Sequence, residues 1–116
     1  MGKVKARTTP VLPAEIWCGA LRYEVIDDPD IATTDGGGSW GLVTHYAESI
    51  RLASGLKART KAGTLAHEIM HVVFTANMDM KENGNEGLVD RTAGSLLDIL
   101  VNSPGLLEYL IAIRDA

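Results

Sequence analysis

Aromatic residues make up only 5% of this 116-residue chain, Phe occurs once, and Cys occurs once. A single cysteine excludes an internal disulfide, so stability must come from packing, and a free thiol fits a reducing compartment. Cys18 lies in the apolar triplet Ile16-Trp17-Cys18, where a thiol behaves as a small hydrophobe rather than a metal ligand. A basic surplus is also missing. Eleven Lys and Arg against 15 Asp and Glu give a formal net charge of -4, the wrong sign for a protein whose main partner is nucleic acid. The two local exceptions, Lys3/Lys5/Arg7 and Lys57/Arg59/Lys61, read as a solvated tail and a solvated loop. No apolar run approaches the ~20 residues that span a bilayer. The charged start leads into Thr8, Thr9, Pro10 and Pro13 instead of a signal-peptide core, which predicts no membrane partner and a cytoplasmic protein.

What is present suffices for one core. At 46% hydrophobic and 22% charged, the chain predicts a single domain over residues 14–116, preceded by a flexible arm at 1–13 whose two prolines lack a donor. Residues 15–18 and 20–26 read as two short strands about a turn at Gly19, because β-branched and aromatic residues flank the glycine. Residues 27–39, rich in Asp and containing Gly36-Gly37-Gly38, read as a loop. The glycines do not form a phosphate cradle, since no Lys-Ser/Thr and no helix follows. Alternation with period two over 40–47 and 49–54 predicts two more strands, so the expectation is α+β with a small antiparallel sheet of about four strands.

The pattern then changes period. Leu65, Ala66, Ile69, Met70, Val72, Val73 and Phe74 predict a helix over about 59–76 that is apolar nearly all round and therefore buried. Residues 77–85 read as a polar loop. Three- and four-residue spacing of Leu88, Val89, Ala93, Leu96, Leu97 and Leu100 predicts a second helix over about 86–101, and Pro104 opens a third to about 113. Trp17, Leu21, Tyr23, Val25, Leu42, Ile50 and Leu52 are the expected core of the sheet.

Inside the buried helix stands His67-Glu68-Ile69-Met70-His71, an HExxH string that holds two of the chain's three histidines. At 3.6 residues per turn, His67 and His71 share one face as a preset pair of metal ligands, and Glu68 lies beside them as a general base toward a metal-activated water. A hydrolytic zinc ion takes three protein ligands, so a third must come from elsewhere. HExxHxxGxxH is excluded, because Phe74 stands at the glycine position and Asn77 at the last histidine. A carboxylate from the next helix is the remaining common choice. Glu86 begins that helix, and Asp90, one turn on, can accept the outer N–H of a ligating imidazole. Asp79 and Glu82 are rival ligands, less favoured because the loop reading leaves them nothing to hold them rigid.

HExxH followed by Asn85-Glu86-x-x-x-Asp90 resembles the gluzincin metallopeptidases, and residues 15–101 are similar to small phage-encoded and cytoplasmic ImmA/IrrE-like metallo-endopeptidases. The resemblance implies a minimal zincin-like fold, one Zn2+ ion held by His67, His71 and Glu86, Asp90 supporting a histidine, and hydrolysis of a protein or peptide substrate with Glu68 as base and then acid. It also implies a bacterial host cell and a phage or mobile-element origin. No motif assigns an oxyanion donor; His45, Tyr46 and Tyr109 are candidates for contact with the transition state or substrate. His45 and Tyr46 fall on a predicted edge strand to which an extended peptide could add. The alternative reading keeps the zinc without the chemistry, as a catalytically silent binding module such as an anti-repressor or scaffold.

Overall fold

The computed structural model describes residues 10–31 and 40–116. Four strands and four helices follow one another as β1 (Glu15–Cys18), β2 (Leu21–Asp28), β3 (Gly41–Thr44), β4 (Ser49–Ala53), α1 (Ala58–Ala76), α2 (Met80–Asn83), α3 (Glu86–Asn102) and α4 (Leu106–Arg114). The fold is α+β, as the change of period implies. Residues 1–9 of the expected arm, and residues 32–39 with the three glycines, lie outside the described residues. Of the described part of the arm, Leu12 packs on the core, and just after the arm the carbonyl of Ala14 accepts the Val25 N–H at 2.9 Å.

β1 and β2 form an antiparallel hairpin with Cys18 opposite Leu21, and Gly19 at φ 61° makes the turn. Its lack of a Cβ permits this left-handed conformation. β3 and β4 are antiparallel too, but β2 and β4 run parallel, giving the order β1-β2-β4-β3. The sheet is therefore mixed rather than antiparallel throughout. Each hairpin closes locally, whereas the join between them is made by β4, the second strand of its hairpin, which places β3 at the outer edge.

One face of this sheet packs on α1. Tyr23, Ile50, Leu52 and Val72 are essentially sealed from solvent, with Ile16, Cys18, Leu21 and Val25 packed around them. Cys18 thus serves as a small core hydrophobe. Two residues expected in the core are outside it, Trp17 at 62% and Leu42 at 52% exposure. Pairing explains both: Trp17 lies opposite Arg22 and Leu42 opposite Arg51, while the core-facing pairs are Ile16 with Tyr23 and Val43 with Ile50. A period of two allows only one of two adjacent residues to face inward.

The other side of α1 packs on α3 through Met70, Val89 and Ala93. α1 is thus held between sheet and helix, which is why its sequence is apolar on more than one side. Burying side chains such as Ile50, Leu52, Val72 and Val89 stabilises by about 1.5–3 kcal/mol each. The start of α1 is tied down by Lys61, whose Nζ donates to Asp27 Oδ1 at 2.9 Å and to the Ser54 carbonyl at 3.3 Å. Arg59 and Lys61 therefore belong to the first turns of a helix, not to a solvated loop. α3 begins at the Asn85 side chain, which accepts the Leu88 N–H at 3.0 Å as an N-cap. The segment read as a loop between α1 and α3 contains the short helix α2.

The face assignment has a direct test in urea unfolding. Leu52→Ala, emptying a sealed position, should cost about 2–5 kcal/mol, whereas Leu42→Ala on the same sheet should cost less than about 1 kcal/mol.

Candidate metal centre

His67 and His71 occupy successive turns of α1, with ring centroids 5.0 Å apart. Packing of α1 on α3 brings Glu86, the first residue of α3, against both. Its carboxylate lies 3.0 Å from His67 Nε2 and 3.2 Å from His71 Nε2. Among the described residues, these three form the group of His, Cys, Asp or Glu donors whose ligand atoms all fall within 4.8 Å of one another. Asp79 immediately precedes α2 and Glu82 lies in it, and neither joins the group.

The other ring nitrogens determine what the Nε2 atoms can do. Asp90 Oδ1 lies 3.3 Å from His67 Nδ1, and Asn83 Oδ1 lies 2.9 Å from His71 Nδ1. Both oxygens can accept from Nδ1, which leaves Nε2 of each ring as the atom that faces Glu86. The two Nε2 atoms and the Glu86 carboxylate thus form a set that could hold a cation, and two imidazoles with one carboxylate are the ligands of a hydrolytic zinc site. The residues present fit the metal that the HExxH string implies.

Glu68, next to His67 on α1, lies against Gly41 of β3 and is 7% exposed. Burial pushes its carboxyl above the usual carboxylate range, and Glu86 adds to the push; His67, His71 and the Val43 backbone N–H pull the other way. Desolvation wins because α1 and β3 close together at this point. The approach depends on Gly41: a Cβ there would come within 2.7 Å of Thr64 Cγ2 and 3.2 Å of Glu68 Cγ. β3, α1 and the start of α3 enclose an open cleft of about 780 Å³, lined among others by Trp40, Val43, His67, Glu68 and Glu86.

The candidates for contact with a transition state or substrate fare differently. Tyr46 is 94% exposed in the turn after β3, and Tyr109 is exposed on α4; neither lines the cleft. His45 does line it, yet both of its nitrogens have partners, Nδ1 with Tyr23 Oη at 2.8 Å and Nε2 with Thr75 Oγ1 at 3.2 Å. Burial, and secondarily the charge of His71, hold His45 below the usual histidine range. Its geometry is that of a tie between the β3–β4 turn, the sheet and the end of α1. Sequence reasoning missed Asn83, Gly41 and Thr64. The first is hidden because α2 shows no clear helical periodicity, and the other two matter only through a contact between distant elements.

Comparison with family models, with curated proteins and with solved structures found no match.

Gly41→Ala should cost about 1–3 kcal/mol in chemical unfolding, because Thr64 is too stiff to retreat. Adding Thr64→Ser, which removes the opposing methyl and keeps the hydroxyl bonded to the Thr60 carbonyl, should recover most of the loss.

Proposed function

We propose that the chain is a zinc metallo-endopeptidase of the gluzincin type, similar to the ImmA/IrrE-like enzymes. The observation that supports this best is the convergence of His67 Nε2, His71 Nε2 and the Glu86 carboxylate on one point, beside a buried Glu68. His67, His71 and Glu86 would hold one Zn2+ ion. Bound zinc supplies Lewis acidity, making a water more acidic and a peptide carbonyl more electrophilic.

The chain's own groups do the rest. Glu68, with its raised affinity for a proton, takes one from the attacking water and later delivers it to the leaving amine. Asp90 and Asn83 hold the two rings in the tautomer that keeps Nε2 free. β3, an outer strand of the sheet and a wall of the cleft, offers a backbone edge along which an extended peptide can lie with its scissile bond near Glu68. The substrate class is therefore an unfolded or extended protein segment. A cytoplasmic setting and a phage or mobile-element origin follow from the resemblance, with the free thiol of Cys18 in keeping.

One observation favours a second reading. The hydroxyl groups of Tyr46 and Tyr109 do not line the cleft, and the His45 nitrogens are engaged elsewhere, so no side chain of that set is free to stabilise an oxyanion. A zinc-stabilised binding module without turnover, an anti-repressor or scaffold, has the same ligands and no use for Glu68.

Metal analysis and a protease assay on an unfolded protein separate the readings. Wild type should carry one zinc per chain and cleave; Glu86→Ala should lose the metal, and Glu68→Gln should keep it and lose turnover by about a hundredfold or more. Zinc retention without cleavage by wild type would select the binding module. Full zinc affinity in Glu86→Ala would sink the centre itself. Asn83→Ala should weaken zinc binding about 10- to 100-fold in a competition titration, since it frees the His71 ring to turn.

A further inference from the structure

We propose that the gap between Gly63 of α1 and Gly94 of α3 is a specificity pocket, which takes a large apolar side chain from an extended peptide lying along β3. This rests on the reading of the cleft as a peptide-binding metal site, and adds which side chain of the peptide is selected. Two rows of α1 residues floor that cleft. Thr60, Thr64 and Glu68 follow one another at four-residue steps on the side where Gly41 meets Thr64 and Glu68. Gly63, His67 and His71 do the same on the side where Glu86 and Asp90 meet the rings. α3 runs the other way along the cleft with the same step, Glu86, Asp90, Gly94. Both helices therefore present a glycine one turn beyond the contacts around the metal ligands.

Facing glycines can let two helices close up, but these do not: among the described residues, a Cβ at Gly63 or Gly94 would meet nothing beyond its own helix within 4 Å. No packing contact calls for glycine at either position, and inside a helix each gives up stability relative to alanine. What they leave is space. Gly94 also lines a second cavity of about 530 Å³, whose apolar lining is Ala62, Leu97 and Val101, with the exposed Arg59 and Asp98 beside them. Half-exposed Trp40 borders the cleft at the start of β3. The spacing fits a strand. A four-residue step from His67 to Gly63 is about 6 Å along the helix axis, and side chains on one face of an extended chain repeat every ~6.6 Å. A peptide paired to β3, with one inward side chain beside His67, thus sets its next inward side chain over the glycine gap. The apolar lining selects a large aliphatic or aromatic group there.

Fluorescence anisotropy tests the pocket without turnover, using zinc-loaded Glu68→Gln protein and labelled Gly/Ser peptides that carry a single Phe or a single Ala. The Phe peptide should bind about tenfold or more tighter than the Ala peptide. Gly94→Leu and, independently, Gly63→Leu each fill the gap and should bring that ratio to within about twofold, with the zinc retained. With wild type, mass spectrometry of a casein digest should find large apolar residues at one fixed position on one side of the cut, a bias that Gly94→Leu abolishes. Equal binding of the two peptides overturns the pocket, as does a Phe preference that survives both leucine substitutions in folded, zinc-loaded protein. A Phe preference abolished by both, in a wild type that cleaves nothing, supports the pocket and overturns only the peptidase reading.

Discussion

Two imidazole nitrogens and a carboxylate oxygen meet in one small volume, and the surrounding structure holds them there. Asn83 and Asp90 engage the two Nδ1 atoms, which fixes each ring with Nε2 toward Glu86. The hydrophobic contact of Met70 with Val89 and Ala93 fixes α3 against α1, and the Asn85 cap begins α3 where Glu86 reaches both rings. Apolar packing sets the distance and polar contacts set the ring orientations. Neither alone would bring the three side chains together.

α1 meets two demands side by side. Toward α3 it presents rings with a path to solvent, and next to them it buries Glu68 against Gly41 of β3. A carboxylate in that position costs stability, and the cost is the source of its raised proton affinity. The sheet has to come very close for this to happen. A glycine at the first position of β3 allows it, and the contact of Gly41 with Thr64 and Glu68 is the tightest approach of any described glycine. The pinned His45, bonded to Tyr23 and Thr75, fixes the far end of the same strand, so β3 is held at both ends along the cleft it borders.

Local chemistry made much of this legible before any coordinates. The four-residue histidine spacing and the glutamate that opens the next helix are signals carried within a turn or two of helix. Strand direction is not such a signal: alternation marks β2 and β4 as strands and is silent on whether they run parallel, so the mixed sheet lay outside its reach. Facing was misread for a definite reason. In Gly41-Leu42-Val43 the inward positions hold glycine and valine, because α1 leaves no room for more at Gly41, and the bulkiest apolar residue of the three turns outward. In Ile16-Trp17-Cys18 all three are apolar, and the choice falls to the partner strand, where Tyr23 is inward and Arg22 outward. Asn83 was illegible because its role depends on a short helix with no hydrophobic stripe.

The distribution of apolar side chains separates two kinds of surface. β1 and β3 leave Trp17 and Leu42 exposed singly, each opposite an arginine whose aliphatic stem can cover part of it. Isolated exposures of this kind need no partner. The C-terminal end differs in kind, since apolar residues of α4 and of the last turns of α3 adjoin one another around a bend, and few charged stems lie near enough to cover them. A chain that places its sealed core around α1 and still concentrates this much apolar surface at the other end has two sites of burial to satisfy. The first is completed within one copy by the sheet and α3. The second is left open by the described residues, where α4 has no buried side chain.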